Sequence, residues 1–316
     1  MDQRAVVEPG CFAAIDLGTN TCLLLVARWD GAELTPLAQE LRVVRLGEGV
    51  AASGRLTEQA MTRAETAFRD YRKIIAAHGC REVRCVATSA YREATNAAEL
   101  GTRILRTSGY RLTAISGAEE AALVKAAVEH AFPWEAGSRV IVDVGGGSTE
   151  VILQQPAGAS RVESLSLGSV RLTEDWLPSD PPTPLELDSA EEHIRSVLDS
   201  SQTLHPADDM IGVGGTATTF VAMHQQLDAY DHARIHGATL ELRTLRQIME
   251  LSAALTFEER QALPGLHPGR ADIIIAGGLI LAAIMERTGL RRLRVSDHGV
   301  RWGLVLEMVS GRGQQQ

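Results

Sequence analysis

The chain has 316 residues, 45% of them hydrophobic and 22% charged, with a formal net charge of −9, which predicts a soluble globular protein of about two ordinary domains. That acidic balance excludes a broad nucleic-acid-binding face, which needs an excess of Lys and Arg, so a polyanionic ligand would have to be met by local arginines and backbone donors. Cys11, Cys22, Cys80 and Cys85 show no CxxC pair and no zinc-spaced histidines, which speaks against a thiol metal site, and the longest apolar run, residues 273–285, is shorter than the ~20 residues of a membrane span.

From the amino terminus, MDQRAVVEPG lacks the apolar core of a signal peptide, so the expected compartment is the cytoplasm, with Cys22 and Cys85 as reduced thiols in apolar strands. Strand-like runs at 12–16, 22–28 and 33–45 lead into an amphipathic helix over 57–78, with Met61, Ala64, Phe68, Tyr71 and Ile75 at helical spacing and Gly79 as its stop. A strand at 83–88, a helix at 96–107 and a strand at 112–115 continue an α/β alternation. Ser116 and Glu119 then have capping-box spacing, which leaves Glu120, ~100° further round the helix, free for other work or as a solvated first-turn acid.

Residues 140–151, VIVDVGGGSTEV, read as strand, turn, strand. Val140, Ile141, Val142 and Val144 suit a buried strand with Asp143 at its end, and Gly145, Gly146 and Gly147 strip every Cβ from the turn. Such a turn either offers free N–H groups to an anion or is simply a tight hairpin. Residues 12–26, FAAIDLGTNTCLLLV, repeat the pattern with Asp16 and Gly18, and two copies suggest a duplicated architecture facing one cleft. Prolines 178, 181, 182 and 184 predict a loop before a helix begun by Asp188 with Glu191 at its third position. A strand from Met210 runs into Gly214-Gly215-Thr216, a third anion-accepting turn at a helix start. Helical segments follow at 244–255, 257–263 and 270–287, then a strand at 293–296, the turn Asp297-His298-Gly299 and a last helix at 300–309; Gln314-Gln315-Gln316 should fray.

Three glycine turns, two with a strand-end aspartate, are how the actin, Hsp70 and sugar-kinase superfold holds a phosphate chain between two domains. In order, IDLGTNT (15–21), VRLGEG (44–49), ATSAYREATN (87–96), SGAEEA (116–121), VDVGGGSTE (142–150), SLGSVRLTE (166–174), GVGGTATT (212–219), RADIIIAGG (270–278) and VSDHGVRWG (295–303) resemble the exopolyphosphatase and guanosine pentaphosphate phosphatase family over nearly the whole chain. The resemblance implies an α/β, two-domain actin-like ATPase fold of the ribonuclease H-like type with a cleft between the domains. The first domain would be 1–124 joined by the helix 301–316, and the second 125–300. It also implies Mg²⁺-dependent release of terminal phosphate from inorganic polyphosphate, with pppGpp or other nucleotides as the alternative substrate and a homodimer as the assembly expectation.

Carried over by position, Glu120 matches the water-activating glutamate, and Asp143 and Glu150 match the metal acids. Asp16 with Gly18, Thr19, Asn20 and Thr21 matches the first phosphate loop, and Gly145, Gly146, Gly147 and Ser148 match the second. Gly214, Gly215 and Thr216 supply the third, and Arg92 matches a phosphate-contacting arginine. Thr19 and Thr21 stand where many members have serine, and His298 where arginine is common. Arg45, Arg171, Arg270 and Arg301 are open between phosphate contacts and ordinary salt-bridge residues. Because the chain stops soon after the last motif, a preference for short or medium chains and distributive cleavage are expected. A silent alarmone-sensing protein is the alternative from another class, against which an intact Glu120, Asp143 and Glu150 argue.

Overall fold

The computed structural model describes residues 7–134, 136–156 and 160–311; the terminal glutamines lie outside that set. Contacts divide the chain into two compact units, residues 1–127 with 300–316, and residues 128–299.

The first unit opens with β1 (Gly10–Leu17), β2 (Thr21–Trp29) and β3 (Leu34–Val43), an antiparallel meander. Pro36 lies in β3, where it deprives no central ladder of a donor because β3 is the sheet edge. After α1 (Val50–Ser53) comes α2 (Glu58–Ala77), capped by the Thr57 side chain accepting from Ala60 N. Its buried stripe includes Met61, Ala64, Phe68, Tyr71 and Ile75, as the spacing predicts, and the Tyr71 hydroxyl donates to Cys22 O at 2.8 Å. Then β4 (Glu82–Ala87), α3 (Ser89–Glu93), α4 (Ala97–Ser108) and β5 (Leu112–Ala114) complete a sheet of order β3-β2-β1-β4-β5. Helix α5 (Gly117–Ala131) carries the chain into the second unit.

There β6 (Arg139–Val144), β7 (Thr149–Gln154) and β8 (Ser160–Leu165) form a second antiparallel meander. Then come α6 (Ser169–Trp176) and α7 (Pro184–Asp199). The start of α7 corrects the expectation of Asp188: Thr183 caps the helix in a reciprocal box with Glu186, and Pro184 occupies the first turn, where a proline's missing N–H costs nothing. Next are β9 (Asp209–Val213), α8 (Gly214–His224), α9 (His232–Ile235), β10 (Thr239–Glu241), α10 (Leu242–Ala253) and α11 (Phe257–Arg260). Helix α12 (Ile274–Arg287) starts four residues later than expected, because Pro268-Gly269-Arg270 form a separate 3₁₀ turn. Strand β11 (Arg292–Ser296) closes a sheet of order β10-β11-β9-β6-β7-β8, and α13 (Val300–Val309) returns to the first unit.

Each sheet has its own core. In the first, Ala13, Ile15 and Leu17 face Phe68 and Tyr71; in the second, Val140, Val142 and Val144 face Phe220 and Ile280. The period-2 alternation of strands therefore turns Asp16 and Asp143 to the opposite face of their sheets, each one residue before the strand end. Among the described residues no helix is long and apolar enough to cross a membrane.

Candidate functional site

The first unit builds its turn on a single bond: Gly18 N donates to Thr21 O at 2.9 Å. A Cβ on Gly18 would stand 3.3 Å from that same oxygen, a tight contact that glycine avoids. The turn's carbonyls face inward, Thr19 O accepting from Gly47 N at 2.8 Å and Asn20 O from Val44 N and Arg45 N at 2.9 Å. Gly47 is crowded onto the turn, since a Cβ there would meet Thr19 Cγ2 at 2.2 Å. Arg45 takes a φ of +46° to make this approach, a conformation that costs a non-glycine residue ~1–3 kcal/mol and tends to persist near functional sites. Thr19 and Asn20 are buried.

Two further elements abut this turn. Thr88 N donates to Leu17 O at 3.2 Å and Ala90 N to Thr19 Oγ1 at 3.4 Å, placing the start of α3 beside it. From α3, Arg92 Nη1 reaches Ile115 O at 2.7 Å and Glu120 Oε2 at 3.0 Å. Glu119 does form the expected capping box: its carboxylate accepts from Ser116 N at 2.7 Å, and that backbone donation lowers its pKa below the ordinary carboxylate value. Glu120 thus remains for another role, and only 8% of it is exposed.

The second unit repeats the turn. Gly145 N donates to Ser148 O at 3.0 Å, and a Cβ on Gly145 would lie 3.0 Å from that oxygen. Carbonyls again face inward: Gly145 O accepts from Ser169 N and Gly146 O from Val170 N, both at 2.9 Å, so the first turn of α6 is spent on the loop. Among the described residues no backbone acceptor faces the N–H groups of Gly146 and Gly147, the arrangement from which anion-binding concavities are made. Gly168 is pressed against the turn, a Cβ there falling 2.3 Å from Gly146 O.

Asp143 pairs directly with Glu150 across β6 and β7, so their side chains leave one face of the sheet ~5 Å apart. Glu150, 1% exposed, is steadied by the hydroxyls of Ser148 at 2.9 Å and Ser164 at 2.8 Å. Gly214, at φ +78°, lies against Asp143, since a Cβ there would be 2.1 Å from Asp143 Oδ1. Thr216 Oγ1 donates to Val144 O at 3.0 Å, which ties the start of α8 to the strand rather than aiming the hydroxyl outward.

Arg270 packs against the start of α8. Its guanidinium lies on Gly215, where a Cβ would be within 2.0–2.2 Å of three of its atoms. Burial lowers its pKa, while Tyr230, Asp143 and Asp272 oppose that shift. A cation against the positive end of a helix is the wrong sign for helix stability, and the acids Asp143 and Asp272 offset its charge. Arg301, by contrast, is buried in the first unit and donates to Leu24 O at 3.2 Å. His298 stacks on His236 at 4.2 Å between ring centroids, and His236 stacks on Phe132 at 4.8 Å.

A model of the Ppx/GppA phosphatase family matches residues 25–311. The chain is 36% identical over 315 residues to exopolyphosphatase 2 of Mycobacterium tuberculosis, covering 94% of this chain and 98% of that protein. Among solved structures, the Aquifex aeolicus member of the Ppx/GppA family superposes with a TM-score of 0.81 at 30% identity, over 97% of this chain and all of that one. An exopolyphosphatase from Cytophaga hutchinsonii superposes with a TM-score of 0.88 at 26% identity, over 95% and 98% of the two chains. The two-sheet α/β fold is that of these actin-like ATPase-type structures.

Proposed function

The chain belongs to the Ppx/GppA phosphatase family and is a phosphoanhydride hydrolase, and on that premise we propose that it releases terminal orthophosphate from inorganic polyphosphate. The observation that carries the proposal is the pair of Asp-x-Gly turns, each closed by the same N–H to carbonyl bond and each with its carbonyls turned inward. Phosphoryl transfer needs positioning and charge neutralisation more than covalent help, and turn amides together with Arg270 supply both. Glu120 is the base in this reading: a carboxylate held in one place can take a proton from the attacking water.

Asp143 and Glu150 suit Mg²⁺. They are hard oxygen donors facing one another across the ladder, and glycine at position 214 keeps the flank of Asp143 clear of side chain. Mg²⁺ needs only one or two carboxylates and fills its remaining positions with water and phosphate oxygens. When bound, the ion would neutralise charge on the phosphate oxygens.

The net charge of −9 repels the distal part of a long polyanion, so short or medium chains are the preferred substrate, cleavage is distributive, and affinity for long chains falls with salt. The cytoplasm is the proposed setting, in keeping with free Cys22 and Cys85 buried in strands. Phosphate release from medium-length polyphosphate, measured beside release from pppGpp under the same conditions, tests the substrate. Faster turnover of polyphosphate is expected, and faster turnover of pppGpp would move the activity to the guanosine pentaphosphate.

A further inference from the structure

We infer that Arg92 is a positioning residue that acts through Glu120. The inference rests on the reading of Glu120 as the base and adds what holds that base in place. Arg92 stands in the last turn of α3, with its own N–H bonded to Thr88 O at 3.0 Å. One nitrogen, Nη1, serves both of its side-chain contacts, Ile115 O at 2.7 Å and Glu120 Oε2 at 3.0 Å. Ile115 N in turn donates to Ala87 O at 3.0 Å, so strand β4 anchors the connection that the arginine grips as well as the helix that bears it.

The consequence is a closed frame. Strand β4 leads to α3 and Arg92; Arg92 leads to Ile115 and Glu120; Ile115 leads back to β4. The two side chains are largely covered, 24% exposed for Arg92 and 11% for Glu120, and a charge-assisted bond in such surroundings is short and strongly directional. Glu119 feels the charge of Arg92, but its carboxylate is hydrogen-bonded to Ser116 and the arginine's hydrogen bond goes to Glu120. A glutamate in the first turn of a helix has several rotamers open to it, and a base must lie within hydrogen-bond reach of one particular water. Arg92 selects the rotamer.

The test is a double-mutant cycle on steady-state cleavage of medium-length polyphosphate, using wild type, Arg92→Met, Arg92→Lys, Glu120→Gln and the Arg92→Met/Glu120→Gln pair. Misplacing a reacting group by about 1 Å costs ~10²-fold, so Arg92→Met should lower kcat by about that factor and leave KM within about 2-fold, the signature of an interaction used in the transition state. Arg92→Lys should restore part of kcat. In the Glu120→Gln background, Arg92→Met should cost less than about 2-fold more, because the group it positions is gone. Should Arg92→Met fail to fold, the cycle is run with Arg92→Lys. A rise in KM with kcat preserved, or a full second loss on the Glu120→Gln background, overturns the positioning role. Wild-type turnover by Glu120→Gln alone would instead overturn the reading of the base itself, so the two failures can be told apart.

Discussion

The turn at residues 16–21 and the turn at residues 143–148 share a backbone and differ in charge. Both follow a buried strand, both close from the glycine N–H onto the carbonyl three residues later, and both are backed by a Leu-Gly in the connection between the third strand and the next helix, Leu46-Gly47 between β3 and α1 and Leu167-Gly168 between β8 and α6. Across the ladder, however, Asp16 pairs with Leu23 whereas Asp143 pairs with Glu150. On the proposed function both turns accept anionic phosphate, and the second acidic partner, present in one copy, would specialise that copy for a cation. In that proposal the shared backbone gives the two turns one shape, and one residue seven positions beyond the aspartate divides their chemistry.

The largest expected effect comes from breaking the backing of the second turn. Gly168→Ala drives a Cβ to 2.3 Å from Gly146 O and 2.4 Å from Gly147 C, which are backbone atoms that cannot swing aside. Overpacking of this kind costs ~1–3 kcal/mol or somewhat more, and urea denaturation of the variant should show a loss at the upper end. Gly47→Ala sharpens the comparison, because the clash there is with the Thr19 Cγ2 methyl, a side-chain atom. It should cost less, ~1–2 kcal/mol, and Thr19→Ser, which deletes that methyl, should recover most of it. Equal losses at the two glycines, or no rescue by serine, would mean that the turns are not backed as the geometry indicates.

Next in size is the metal. Asp143→Asn should raise the Mg²⁺ concentration for half-maximal rate by ~10–100-fold, the usual effect of weakening a metal's immediate surroundings, while Asp16→Asn, with Leu23 rather than a carboxylate across from it, should lower turnover without moving the Mg²⁺ titration. A shift of equal size in both variants would erase the proposed division of labour between the turns.

Much of this was legible in the sequence because the signals are local. An aspartate, one residue and a glycine between β-branched runs announces a strand, a turn and a strand, and Ser116 with Glu119 announces a capping box; the structure has both. The start of α7 was misplaced because four nearby prolines read as loop, although Thr183, Pro184 and Glu186 carry a capping signal as good as the one attributed to Asp188 and Glu191. Strand β8 and helix α6 were not anticipated: Ser160–Leu165 has little apolar alternation, with five of its six positions polar or only partly covered. The roles of Gly47, Gly168 and Arg270 depend on partners far away in sequence, Thr19, Gly146 and Gly215, and no spacing rule reports such approaches. A glycine following leucine just beyond a third strand, seen twice, is the one signal that could have exposed the first two.

The smallest expected effect concerns pH and again separates the units, since the ring stack of Phe132, His236 and His298 lies wholly in the second. Burial lowers the pKa of His236 below its ordinary value, with Asp297 opposing that shift. Its Nδ1 accepts from Asp297 N at 3.2 Å, which requires that nitrogen to be unprotonated; the Asp297 carboxylate is bonded in turn by Tyr230 and His232, and the Arg294 guanidinium lies 5.4 Å from the Phe132 ring of the stack. A histidine whose folded pKa is lower than its unfolded one is protonated first in the unfolded chain, so the unfolded state gains protons and stability falls as pH drops through about 6.5. Once pH is below the folded value as well, the loss is complete and the curve levels. Urea midpoints taken between pH 8 and pH 5 should therefore decline on the acid side, and His236→Phe, which keeps a flat ring in the stack but cannot take a proton, should flatten that decline at some cost in midpoint at neutral pH from the unbonded Asp297 N–H. A decline that is just as steep in the phenylalanine variant would place the acid sensitivity elsewhere, among the carboxylates of Glu119, Glu186 and Glu259, whose pKa values are lowered by backbone donors and whose contribution is lost at more acid pH than the histidine's.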